Sequence, residues 1–133
     1  ALEDIIGQRV ARRANAALLA RLGGLIDQMA EFAKAGLATE YAALNLQFHS
    51  VLLDAAASNK LSETYRRLVK ELHLFRMRAL TDGGGLTVSA SEHRVIVEAI
   101  ASRDPVRAGQ ALRRHVAESR TRMLRAVRAA APS

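Results

Sequence analysis

Along nearly the whole chain, apolar side chains recur every third or fourth residue, and no stretch alternates apolar and polar residues with period two. An α-helix turns once in about 3.6 residues, so this spacing gathers apolar groups on one helical stripe, whereas a half-buried strand needs strict alternation. The stripes can leave water only by packing against one another, which predicts an all-α fold.

Leu2, Ile5, Ile6, Val10 and Ala14 lie opposite Glu3, Asp4, Arg9, Arg12 and Arg13, predicting a first amphipathic helix over 2–14. Asn15 is a cap for a second helix over 16–35, whose stripe is Leu18, Leu19, Leu22, Leu25, Ile26, Met29 and Phe32, and Gly36 stops it. Gly23 and Gly24 fall in its middle. Each costs about 1 kcal/mol relative to Ala, so a kink or a close helix contact is expected there. Thr39 is the expected cap of a third helix ending near Ala57, and Asn59 marks the turn into a fourth over 60–80. Gly83, Gly84 and Gly85 make 81–87 a loop. Ser89 followed by Glu92 fits a capping box opening a fifth helix to Ser102, and Asp104 before Pro105 opens the last, to Ala129. With no internal repeat and no linker, the reading is one domain over 1–133, an antiparallel bundle of about six helices.

At 133 residues the chain can bury a real core, and with no cysteine any metal must sit on His, Asp, Glu or Asn. A charge of +7 invites a nucleic-acid reading. Against it, the arginines are spread along helical repeats, aromatics for base stacking reach only 4%, and no DNA-reading module is visible. No apolar run approaches the roughly 18–20 residues needed to span a bilayer, and no secretion signal opens the sequence. The expectation is a soluble, cytoplasmic protein without membrane contact.

The histidines carry the chemistry. Asn45 and His49 are four apart on the third helix, among Leu44, Phe48, Val51, Leu52 and Ala55, so both face inward. His93 shares a stripe with Ile96, Val97 and Ile100, and His115 with Ala108, Ala111, Leu112, Ser119 and Met123. Each histidine alone is ordinarily a hydrogen-bonded core residue. Three imidazoles and an amide aimed into one small core are better satisfied by a shared divalent ion. Nitrogen and oxygen donors with open positions suit zinc or nickel foremost, with manganese, iron or cobalt also accommodated.

The run Asn45-Leu46-Gln47-Phe48-His49, then Ala55-Ala56-Ala57-Ser58-Asn59, Glu92-His93, and His115 in Ala-Leu-Arg-Arg-His resembles the FCD domain of the FadR branch of GntR regulators over nearly the whole chain. The resemblance implies a metal site on Asn45, His49, His93 and His115, with Asn45 standing where many relatives place Asp. Six helices rather than seven resemble the VanR-like members. It further implies a small carboxylic-acid effector bound at the metal, a homodimer, and a winged helix-turn-helix that reads DNA and is absent from this chain. The effector's carboxylate would supply negative charge that the neutral Asn45 does not.

Arginine recognises carboxylates bidentately, and Arg76 and Arg78 are the candidate effector-binding residues, Arg76 preferred because it follows Leu68, Val69 and Leu72 on the inward-leaning face. His73 matches no family ligand and is read as interfacial or partly exposed. Arg9, Arg12 and Arg13 are assigned to a solvated face. So are Arg113, Arg114, Arg120, Arg122, Arg125 and Arg128, some of them available to a partner subunit or the absent domain. No catalytic residue is assigned, because a metal-dependent hydrolase or lyase, the main alternative, needs a general base, and Glu92 beside His93 points roughly 100° away on its helix. A purely structural bundle is the third reading.

Overall fold

The computed structural model describes residues 2–56, 63–67 and 85–130. They are helical and contain no strand: α1 (Leu2–Arg13), α2 (Ala16–Ala35), α3 (Ala38–Ala56), a helical turn at 63–67, α4 (Gly85–Ala101) and α5 (Pro105–Ala130). Five long helices and the short turn thus form the all-α bundle expected from the periodicity. The rest of the expected fourth helix, including His73, Arg76 and Arg78, lies outside the described residues.

The caps explain why the elements break where they do. Asn15 is extended (φ −132°) and its Oδ1 accepts from the Leu18 amide at 2.8 Å, satisfying one free donor of α2. Gly36 ends that helix in the left-handed region (φ 70°), where a side chain is strained, and the amides of Gly36 and Leu37 return to the carbonyls of Ala33 and Phe32. The Leu37 carbonyl at once accepts from Tyr41, so α3 follows with almost no loop. Thr39 therefore sits inside the first turn of α3 and is not its cap.

At the other end, Arg103 takes the left-handed position (φ 56°) after α4. Its amide bonds Ile100 and that of Asp104 bonds Ala99, while its guanidinium donates to the Ala14 carbonyl at 3.0 Å. Asp104 then caps α5 through the Arg107 amide at 3.1 Å, as its place before Pro105 predicts.

Two expectations are corrected. Helix α4 begins at Gly85, so Gly85–Thr87 are helical rather than loop, and Ser89 and Glu92 lie inside the helix and form no capping box. Helix α2 runs unbroken through Gly23 and Gly24, and a Cβ built on either would meet nothing within 4 Å. The close helix approach occurs instead between α1 and α5.

Helix α5 packs along α1 and α4, α2 bridges α3 and α4, and α1 also touches α3. Val10, Leu22, Met29, Tyr41, Phe48, Ile96 and Ile100 are completely or almost completely buried where these helices meet. Burying each aliphatic side chain contributes about 1.5–3 kcal/mol. That interior is where α3, α4 and α5 deliver their polar side chains. No helix among the described residues is long and apolar enough to cross a membrane.

Candidate metal centre

Three helices each place one imidazole in the interior: His49 from α3, His93 from α4 and His115 from α5, none more than 3% exposed. Each offers a ring nitrogen such that all three nitrogens lie within 4.8 Å of one another. The rings form a tight triangle, with His49 stacked parallel to His115 at 5.4 Å and His93 standing edge-on to His115 at 4.5 Å. Phe48 closes one side, its ring 4.6 Å from that of His93. Asn45 lies one turn before His49 on the same face of α3 and is buried to the same degree.

For His115 and His93 the surroundings decide which nitrogen turns inward. Glu92 accepts from His115 Nδ1 at 2.8 Å and takes two further bonds from Arg122, at 3.0 and 2.7 Å. Burial alone would raise the Glu92 carboxyl, but hydrogen bonds from His115 and Arg122, with their positive charge, outweigh it and bring the pKa from 4.5 down to about 2. An ionised carboxylate only accepts, so Nδ1 of His115 carries a proton in either charge state of the ring, and Nε2 is the nitrogen turned to the centre. On the other wall the Tyr41 hydroxyl donates to Ser89 Oγ at 2.8 Å, and His93 Nδ1 lies 3.2 Å from the same hydroxyl oxygen. The Tyr41 hydroxyl thus engages Nδ1 of His93, and Nε2 is the nitrogen this ring turns to the centre.

Those two Nε2 atoms are 3.1 Å apart. Two ring nitrogens facing each other at this distance in a buried site are held together by a proton or a metal ion between them. Two nitrogens bound to one ion at about 2.1 Å each stand roughly 3.0–3.4 Å apart for angles from square to tetrahedral, so the donor set fits a divalent transition metal.

Sequence reasoning brought together Asn45, His49, His93 and His115 on inward faces and overlooked the groups behind them. Tyr41 is four residues before Asn45, and Ser89 four before His93, so helical spacing alone could have put both on the same stripes. Glu92 does point away from His93, and that direction carries it across to His115 on α5. Arg122, assigned to a solvated face, is instead mostly covered, its side chain 17% exposed. Arg113 pairs with Asp4 at 3.3 Å, and Arg9 reaches the Ala56 carbonyl at 3.5 Å. A groove of about 740 Å³ runs between α4 and α5, lined among others by Glu92, Val95, Arg107, Arg114 and His115. It meets the centre at Glu92, behind His115.

Residues 1–118 match the FCD domain family. Among solved structures, Streptococcus agalactiae GntR is similar with a TM-score of 0.72 and 24% identity, covering 89% of this chain and 52% of that one. The chain thus spans about half the length of that structure. No curated protein matches the sequence.

Proposed function

The chain belongs to the FCD domain family, and from that premise we propose that it is the effector-sensing domain of a GntR-type transcriptional regulator of the FadR branch. In this reading it holds a divalent metal ion on Asn45, His49, His93 and His115, binds a small organic acid there, and so modulates DNA binding by an attached N-terminal domain within a cytoplasmic homodimer. The observation that carries the proposal is the pair of Nε2 atoms at 3.1 Å, each turned to the centre while its Nδ1 is engaged elsewhere.

A bound divalent ion would supply a Lewis-acidic anchor for a carboxylate. The chain's residues do the rest. His49, His93 and His115 present nitrogen donors from three different helices, so ligation ties α3, α4 and α5 together. The Asn45 amide adds an oxygen donor without charge, leaving the negative charge to be brought by the acid. Arg76 and Arg78 are the proposed carboxylate partners, since guanidinium matches a carboxylate bidentately. A ligand that draws the three helices into one arrangement shifts the bundle by its differential affinity for that arrangement, and a two-fold dimer passes the shift to its DNA readers.

The hydrolase or lyase reading requires a base free to take a proton from water. Glu92, the carboxylate bonded to His115, has Oε1 bonded by His115 and Arg122 and Oε2 by Arg122. That engagement suits an orienting role.

Isothermal titration of zinc-loaded and metal-stripped protein with a panel of hydroxy, keto and dicarboxylic acids tests the proposal. The expected result is an acid that binds only the loaded protein and loses its binding in His115→Ala. If no acid in the panel binds the loaded protein, the sensor reading fails; turnover of an acid would favour the enzyme.

A further inference from the structure

As metal ligands the three imidazoles are neutral, like the Asn45 amide, yet a divalent ion brings two positive charges into a site where every proposed donor is at most 3% exposed. A charge so placed needs a counter-charge close by, because the interior screens weakly. The two histidines whose Nδ1 partners are defined differ sharply in this respect. Behind His93 stand two neutral hydroxyls, Tyr41 and Ser89. Behind His115 stands Glu92, a carboxylate 2.8 Å from Nδ1 and gripped through both oxygens by Arg122.

We propose that Glu92, held by Arg122, is the positioning residue of the cation site: it fixes His115 with Nε2 turned to the centre and supplies, through the ring, the negative charge that the donor set lacks. The proposal rests on the metal-binding reading above and extends it to a residue that does not itself ligate. Its geometric basis is the clamp across α4 and α5. Arg122 is seven residues beyond His115, two turns along the same face of α5, so Glu92 from the neighbouring helix fits between them and is bonded from both sides. Rotation of the His115 ring would break a charge-assisted bond, and movement of Glu92 would break two more. Carboxylate partners of ligating imidazoles raise ligand basicity, and their loss typically weakens metal binding by about 10- to 100-fold.

Two substitutions separate orientation from charge. Glu92→Gln keeps an oxygen that can accept from Nδ1 and removes the charge, whereas Glu92→Ala removes both. Titration of metal-stripped protein with Zn²⁺ should give affinity loss in the order wild type, Glu92→Gln, Glu92→Ala, with the last weaker by about 10- to 100-fold. Tyr41→Phe, which alters the neutral wall behind His93, should weaken binding less than Glu92→Ala. The ¹⁵N shifts of the His115 ring in metal-free protein give a second readout that does not depend on the ion. They should place a proton on Nδ1 in the wild type and show the Nε2–H tautomer in Glu92→Ala.

Wild-type affinity in both Glu92 variants, alongside lost affinity in His115→Ala, overturns the proposal. Should the wild type bind no Zn²⁺, the metal reading and the charge-supplying role fall together. The ring shifts then still decide the positioning role, which is lost if the tautomer in Glu92→Ala equals that of the wild type and stands if it changes.

Discussion

Gly7 of α1 and Gly109 of α5 touch backbone to backbone: a Cβ built on Gly7 would lie 2.7 Å from the Gly109 Cα and 2.6 Å from the Ala108 carbonyl oxygen, and one built on Gly109 would lie 2.7 Å from the Asp4 carbonyl oxygen. No side-chain rotation relieves such contacts, so the two helices approach this closely only because neither residue has a side chain. The approach bears on the centre because α5 carries His115 and Arg122.

Gly7→Ala and Gly109→Ala should each lower stability, since an overpacking cost of about 1–3 kcal/mol exceeds the roughly 1 kcal/mol of helix propensity that alanine adds. Gly23→Ala and Gly24→Ala, where an added Cβ meets nothing within 4 Å, should instead raise it by about 0.5–1 kcal/mol. Urea denaturation of the four variants measures the contrast, and equal effects at both pairs would contradict the close packing.

Asn45→Asp should tighten Zn²⁺ binding by on the order of tenfold, because a carboxylate adds charge where the amide offers only a dipole. Calorimetric titration of the metal-stripped variant tests this. An unchanged affinity would remove Asn45 from the proposed ligand set and leave the three histidines.

Stability at low pH should depend on Glu92. Its pKa falls from 4.5 to about 2 in the folded protein, so the folded state binds this proton less readily than the unfolded chain. The resulting stabilisation is fully present above the unfolded value and is lost as pH falls from about 4.5 towards 2. Unfolding free energies of wild type and Glu92→Gln should therefore differ most above pH 4.5 and converge towards pH 2. A difference that stays constant over this range would show that the residue contributes by packing alone.

Tyr41→Phe should cost about 1–3 kcal/mol, since it leaves Ser89 and His93 Nδ1 buried without the hydroxyl that bonds both. Combined with Ser89→Ala, it should cost less than the sum of the single changes because the two side chains share one bond. Strict additivity in a double-mutant cycle would argue against the Tyr41–Ser89 bond.

Much of this architecture was legible residue by residue. Asn15, Gly36 and Asp104 marked helix ends because capping is a local event, completed by backbone groups within a few residues of the side chain. Thr39 and Ser89 misled for the complementary reason. Both residue types favour caps, but α3 starts at Ala38 and α4 at Gly85, upstream of each, and Ser89 accepts from the hydroxyl of Tyr41, 48 residues away in sequence. The inward aim of Asn45, His49, His93 and His115 followed from helical phase.

The sequence by itself therefore determined the helices, most of their ends, and the faces on which four polar side chains enter the core, since a residue's direction on a helix is set by its number. Only the tertiary structure decided that the Nε2 atoms of His93 and His115 meet, that Glu92 crosses to α5, and that Gly7 and Gly109 let α1 and α5 touch. Those relations depend on how far each helix is turned and slid against the next, quantities set by packing over the whole interface and written in no single stretch of chain.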